Sequence, residues 1–270
     1  MSEIYDVYGN TIAIGSGGSE DAAKEKLTGK VLVALGDSFT VGMSNQLTSL
    51  ATKYGMAVDN RGVVSSTLSD RTSIPQSMYD RADDIVDDYT FGKTINGTTY
   101  YADDVGILTL MGGANDGAGI DRWIGDGIHV TDPNTIYGSL HHILSEFLET
   151  FTKATVICIT QPSIFNSVVA TECATDEDAQ NRGFTNRAEA LVLNDIQFSN
   201  YCMGMKQSAV RTCAWYYQVP LLDMFNEFPA VNDPANRSKY WQNDKVHLTT
   251  DGYNFVAGAI DKKIIELFGQ

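Results

Sequence analysis

Five short apolar runs punctuate the chain: KVLVALG (30–36), MAVDNRG (56–62), DVGILTLMG (104–112), ATVICIT (154–160) and QVPLLDM (218–224). Each is rich in Val, Ile or Leu and stops on Gly, Asp or another polar residue, the pattern of strands buried on both faces. Helical patterns lie between them. SNQLTSLATKYG (44–55) closes on Gly55, a residue suited to the left-handed turn that ends a helix. DPNTIYGSLHHILSEFLETF opens with Asp132-Pro133, a cap followed by the residue favoured at the first helical position. Its Ile136, Leu140, Ile143, Leu144, Phe147 and Leu148 recur at helical spacing and would cover a sheet. Longer patterns run over 189–217 and 249–268.

Strand and helix alternating in this way predict a three-layer α/β/α sandwich around a five-stranded, mostly parallel, flavodoxin-like sheet. Such sheets carry their sites beyond the carboxyl ends of the strands, where strand order reverses. Three stretches fall outside the repeat. Residues 1–28 read as an N-terminal arm and linker, with a β-prone start, a flexible GSGGS and a short helical piece, ahead of one domain over 29–270. FGKTINGTTYYA (91–102) carries Asn96-Gly97 between β-prone flanks, the signal of a tight hairpin. SIFNSVVATECATDEDAQNRGF (163–184) is long and polar, a candidate substrate loop.

Composition narrows the partners. The 270 residues are 43% hydrophobic and 20% charged, ordinary for a chain that buries a proper core. Nineteen basic against 34 acidic residues leave a net charge of −15, which argues against nucleic acid or an anionic membrane as partner. No run of 18 apolar residues predicts a membrane span. The first twenty residues have neither a basic start nor a continuous apolar core, so no secretory signal is expected there; the compartment stays open. Cys158, Cys173, Cys202 and Cys213 show no metal or redox spacing and read as reduced structural thiols. The acidic runs at 83–88 and 175–180 read as solvated faces rather than calcium sites.

Of four histidines, His141 and His142 are adjacent on a helix and cannot chelate one metal from a single face. His129 stands in a loop without a partner pattern. His247 follows Asp244 by three residues just before the last helix, so the carboxylate can hold one ring nitrogen while the other faces outward. Ser38 begins the turn after the first strand, where helix amides can stabilise a negative oxygen. Gly36-Asp37-Ser38 also suits a plain helix cap, with Asp37 or Ser38 as the capping residue. After the third strand, LMGGANDGAG offers close backbone approach at Gly112 and Gly113 and a neutral donor in Asn115. It also suits a turn, but lacks both G-x-G-x-x-G and a P-loop lysine. GSGG at 15–18 fails the dinucleotide pattern as well and reads as linker.

In this order and spacing the chain resembles the SGNH hydrolases, also called GDSL esterases and lipases. GDS (36–38), GAND (113–116) and DKVH (244–247) match three family blocks, and NRGVVSST (60–67) matches the remaining block at Asn60, Gly62 and Thr67. The resemblance spans roughly residues 30 to 265. It implies Ser38 as nucleophile, His247 as base and Asp244 as its partner, with Asp37 and Gly113 in support and no metal or cofactor. It implies an oxyanion hole from the Ser38 amide, the Asn115 side chain and the backbone of Ser65, which stands where the family has glycine; Gly62 is the alternative donor. An α/β-hydrolase would need G-x-S-x-G, which is absent. The expected activity is a serine esterase acting on short-chain, O-acetyl esters of a carbohydrate. Alternatives are lysophospholipase or thioesterase activity, or a non-catalytic glycan-binding module. Trp123, Trp241, Tyr100 and Tyr101 are candidates for stacking on sugar rings near the active face, against the plainer reading of ordinary core or surface aromatics.

Overall fold

The computed structural model describes residues 18–70, 77–117, 124, 125 and 127–270, together with the backbone of Ile4–Tyr5 and Thr11–Ile12, which pair antiparallel. Trp123 and residues 15–17 of the expected linker lie outside the described residues. The five apolar runs become β1 (Val31–Gly36), β2 (Ala57–Gly62), β3 (Val105–Met111), β4 (Thr155–Thr160) and β5 (Leu221–Asp223). They form one sheet in the order β2-β1-β3-β4-β5, every neighbouring pair parallel. The order reverses between β1 and β3, which makes the carboxyl ends of those two strands the switch point.

Alternation along the strands divides the core in two. Leu32, Ala34, Ile107, Ile157 and Ile159 face one side, against α1 (Glu20–Leu27), α2 (Ser38–Gly42), α3 (Ser44–Lys53) and the C-terminal Thr250–Phe268 helix. Val31, Val33, Leu35, Leu108, Leu110 and Val156 face the other, against α4 (Met78–Phe91), α5 (Ile136–Thr150) and α6 (Asp195–Tyr216). Every position of Val31–Gly36 and Val105–Met111 is buried, as the unbroken apolar runs require.

Several local expectations are corrected. The helix at Glu20–Leu27 is built into the main body rather than the arm: Ala23 and Leu27 are buried, and the Ser19 amide donates to the Gly269 carbonyl. Helix α5 is capped by Thr135, whose hydroxyl accepts from the Gly138 amide; Asp132 instead accepts from Asn134 in the preceding turn. The 189–217 pattern breaks into Arg187–Ala190 and α6, because Asn194 and Gln197 form a capping box that starts a new helix. The 163–184 stretch is partly folded, with short helices at Val169–Glu172 and Asp176–Gln180. Val169, Cys173 and Ala179 pack with Ala190, Phe198 and Cys202 in a small core of their own.

The hairpin forms as expected, Lys93–Ile95 with Thr98–Tyr100, with Asn96 and Gly97 both left-handed at φ 48° and 84°. It precedes β3, so Tyr100 and Tyr101 stand at the amino end of the sheet, opposite the switch point. They do not flank the candidate site. All four cysteines are buried and unpaired. Among the described residues no helix is long and apolar enough to cross a membrane.

Candidate active site

The chain leaves β1 through a turn that only glycine allows. A Cβ at position 36 would stand 1.9 Å from Thr40 Oγ1 and 2.7 Å from the Met111 carbonyl oxygen. Asp37 then caps α2, its carboxylate accepting the Phe39 amide at 2.9 Å. Capping therefore falls to Asp37, and Ser38 takes the first helical position with its hydroxyl free for other work. Its own amide is one of those a helix N-terminus leaves without an intrahelical partner.

The D-x-x-H loop meets that hydroxyl. His247 Nε2 lies 2.9 Å from Ser38 Oγ, and His247 Nδ1 lies 2.6 Å from Asp244 Oδ2. The other oxygen of Asp244 accepts the Val246 and His247 amides, each at 3.0 Å. Burial raises the Asp244 pKa, but the His247 side chain and the two amides outweigh it and hold the carboxyl below its usual range. Gln242 ties the loop shut by accepting from the Lys245 amide and donating to the His247 carbonyl, and Lys245 takes a left-handed φ of 64°.

Two further turns border Ser38. After β2, the Asn60 side chain accepts the Gly62 amide at 2.8 Å, so that N–H is already engaged. Val63 donates to the Gly36 carbonyl, and the exposed Ser65 turns left-handed at φ 63°. That conformation costs a non-glycine residue on the order of 1–2 kcal/mol, and such strain concentrates at sites that need a particular amide direction. After β3, Gly112 has no space for a Cβ beside Met78, and Gly113 takes φ 112°. Asn115 is exposed, with one amide hydrogen on the Ser66 carbonyl at 2.9 Å and the other left for a ligand.

Beneath the surface the three turns are cross-braced in pairs. Arg81 joins the first to the second, donating to the carbonyls of Gly36 and Arg61 and to Ser66 Oγ. Asp116 joins the third to the second, accepting from the Leu68 amide at 2.8 Å and from the Ser69 amide and hydroxyl at 3.0 and 2.5 Å. Gln161 joins the first to the third: its Nε2 donates to Asp37 Oδ2 at 2.8 Å, and its Oε1 accepts the Ala114 amide at 2.7 Å. Buried Lys206 completes the set by donating to the Ala114 carbonyl at 3.1 Å. Burial pushes Asp37 up to about 6, despite donors from Gln161 and Phe39. It raises Asp116 and lowers Lys206, which face each other's charge.

Arg81, Gln161 and Lys206 were not among the residues singled out from sequence. Arg81 sits beside the acidic run at 83–88, and only the position of Gln161 directly after β4 hinted at a role. Trp241 is a core residue rather than a stacking platform: it is buried, and its indole N–H donates to the Ser163 carbonyl at 2.9 Å.

This fold and this arrangement of turns are those of a known hydrolase class. A profile of the GDSL-like Lipase/Acylhydrolase family matches residues 34–255, and the chain belongs to that family. It is accordingly a carboxylic ester hydrolase. No curated protein matches it in sequence. Solved structures share the fold: a Lactobacillus plantarum protein aligns with a TM-score of 0.60 at 20% identity, covering 88% of this chain and 97% of that one. A Chitinophaga pinensis protein titled a "possible lipase" aligns with a TM-score of 0.52 at 17% identity, covering 88% and 98%.

Proposed function

We propose that the protein is a serine esterase in which Ser38 attacks the ester carbonyl, His247 moves the proton and Asp244 holds the imidazole. The observation that carries this reading is the unbroken relay from Ser38 Oγ through His247 to Asp244, at 2.9 and 2.6 Å. In the first half-reaction Ser38 Oγ bonds to the acyl carbon while its proton passes to His247 Nε2. The C–O bond to the alcohol then breaks, and that proton leaves with the alcohol. Water repeats the sequence on the acyl-enzyme and releases the acid. Asp244 keeps Nδ1 protonated and pointed, so that Nε2 is the acceptor.

The negative oxygen of each tetrahedral intermediate is held by the amides of Ser38 and Ser65 and by the Asn115 side chain. Ser65 is favoured over Gly62 because the Gly62 N–H is committed to Asn60. Such donors are worth about 2.7–4 kcal/mol of barrier each.

The substrate we assign is a short-chain, O-acetyl ester on a carbohydrate. Ser65, Asn115 and Asp244 are all exposed, which suits a large hydrated alcohol and a small acyl group. The net charge of −15 also favours a neutral substrate. Acetate release from acetylated xylan and acetylated sialic acid, beside fatty-acid release from lysophospholipid, tests the assignment. Preference for lysophospholipid would overturn the carbohydrate reading. Failure of a fluorophosphonate probe to label Ser38 would overturn the catalytic one.

A further inference from the structure

Asn115 takes its direction from the peptide units that lead into it. In the Gly113–Ala114 peptide, the N–H donates to Gln161 Oε1 at 2.7 Å and the carbonyl oxygen accepts from the Asp116 amide at 3.2 Å. The Ala114–Asn115 peptide is held by Lys206, whose Nζ donates to the Ala114 carbonyl oxygen at 3.1 Å. A peptide unit is planar, so a bond to that oxygen constrains the Asn115 nitrogen and the Cα that carries the donor side chain. On the far side Asp116 is pinned by the Leu68 amide and by Ser69. Asn115 thus stands between two anchored neighbours.

Lysine is a costly choice for this post. Lys206 is only 6% exposed, and an ammonium is almost never buried unless it is paired. Holding the turn does not by itself require a charge: Gln207, the next residue of α6, donates a neutral amide to the Gly112 carbonyl at 3.3 Å. Helix α6 comes this close because position 113 is glycine; a Cβ there would stand 3.0 Å from Gln207 Nε2 and 3.8 Å from Lys206 Cβ. The ammonium faces the charges of Asp116, Glu172 and Asp37, with Cys202 one turn earlier on its own helix. A hydrogen bond from an ionised donor is roughly twice as strong as a neutral one. We infer that Lys206 is a positioning residue for the oxyanion hole: its ammonium holds the Ala114–Asn115 peptide so that the second amide hydrogen of Asn115 meets the negative oxygen of each tetrahedral intermediate. Its effect on the reaction passes through Asn115. The inference rests on the esterase reading and on Asn115 as an oxyanion donor.

The test is a double-mutant cycle between Lys206 and Asn115, read as kcat and KM for nitrophenyl acetate in the full-length protein, with rates taken per folded molecule from urea unfolding. Lys206→Met keeps the length of the side chain and removes its donor and charge. It should lower kcat about tenfold or more, by less than Asn115→Ala does, and leave KM within about twofold. In the Asn115→Ala background the same substitution should change kcat by no more than about twofold, because the donor it positions is gone. Lys206→Gln keeps a polar end in the site but stops one bond short of the Ala114 carbonyl. It should behave in the same way, and it serves where the methionine variant does not fold. A loss of kcat that persists undiminished in the Asn115→Ala background overturns the inference while the esterase reading stands. So does an unchanged kcat in either folded single variant. If the wild type cleaves no ester, or Asn115→Ala is as fast as wild type, the reading of the hole falls first and the inference with it.

Discussion

His247 Nε2 stands 2.9 Å from Ser38 Oγ, although 209 positions of sequence separate them. The contact joins the first turn of the sheet to the loop before the last helix, so it exists only when the whole domain is closed. Ser38→Ala and His247→Ala should each lower kcat for nitrophenyl acetate by about 10⁴-fold or more. Because the two act as one unit, the double variant should be no slower than either single variant. Losses that multiply would show that the pair does not work together. Asp244→Asn should cost less, about 10²–10⁴-fold, since the carboxyl is half exposed and water can take its place in part.

The second and third turns are separable by substitution. Asn115→Ala removes a side-chain donor and should lower kcat by about 10²–10³-fold with little change in KM. Ser65→Gly keeps the backbone N–H and relieves the left-handed φ of 63°, so activity should stay within a few-fold of wild type. Ser65→Pro removes that N–H and forces φ to about −65°, and should cost at least as much as Asn115→Ala. A fully active Ser65→Pro enzyme would move the donor elsewhere.

Gln161 never faces the reacting atoms, and its removal should still be felt there. Gln161→Leu leaves Asp37 Oδ2 without its donor and the Ala114 amide without its acceptor, both buried or nearly so. About 2–4 kcal/mol of stability should be lost, read as the midpoint of urea unfolding. Among molecules that remain folded, kcat should fall while KM holds, because the Ser38 and Asn115 turns lose their direct link. Equal stability in the variant would mean that the bridge carries no strain from one turn to the other.

Stability should peak in mildly acidic solution. The Asp37 pKa, pushed by burial from 3.8 to about 6, means that the folded state holds a proton the unfolded chain has lost. Between about pH 4 and 6 the folded state therefore binds more protons, and stability falls as pH rises through that window, by at most about 3 kcal/mol. Asp116, His247, Arg81, Lys206 and Tyr253 are the charged and titratable groups that share its surroundings. Asp88, Asp223 and Asp244 work in the opposite direction: their lowered pKa values contribute stability above about pH 4 that disappears in stronger acid. Thermal unfolding should thus show its highest midpoint near pH 5. A midpoint that climbs steadily from pH 5 to 8 would contradict the assignment of Asp37.

The sheet was legible because each strand is buried on both faces, which writes an unbroken apolar run into the chain, as in KVLVALG. Asn96-Gly97 was legible because few dipeptides accept two left-handed residues. Thr135 against Asp132 was not, since either residue can cap and the choice depends on which carbonyls the turn presents. Val169, Cys173 and Ala179 lie too sparsely among acids to show a period, so their small core was invisible until Phe198 and Cys202 were seen to meet them. The relay residues could be named from block order. Gln161, Arg81 and Lys206 could not, because each bonds to backbone groups far away in sequence, and no local pattern records which ones.

The four thiols, Cys158, Cys173, Cys202 and Cys213, are at most 5% exposed, and burial pushes Cys158, Cys202 and Cys213 up to about 12. At neutral pH such sulfurs react slowly with maleimides and nitroxide reagents. A single cysteine introduced at Val192, which is 81% exposed on the segment leading into α6, would therefore take a spectroscopic label without any prior removal of the native ones. The native fold supplies its own silent background for watching that segment in solution.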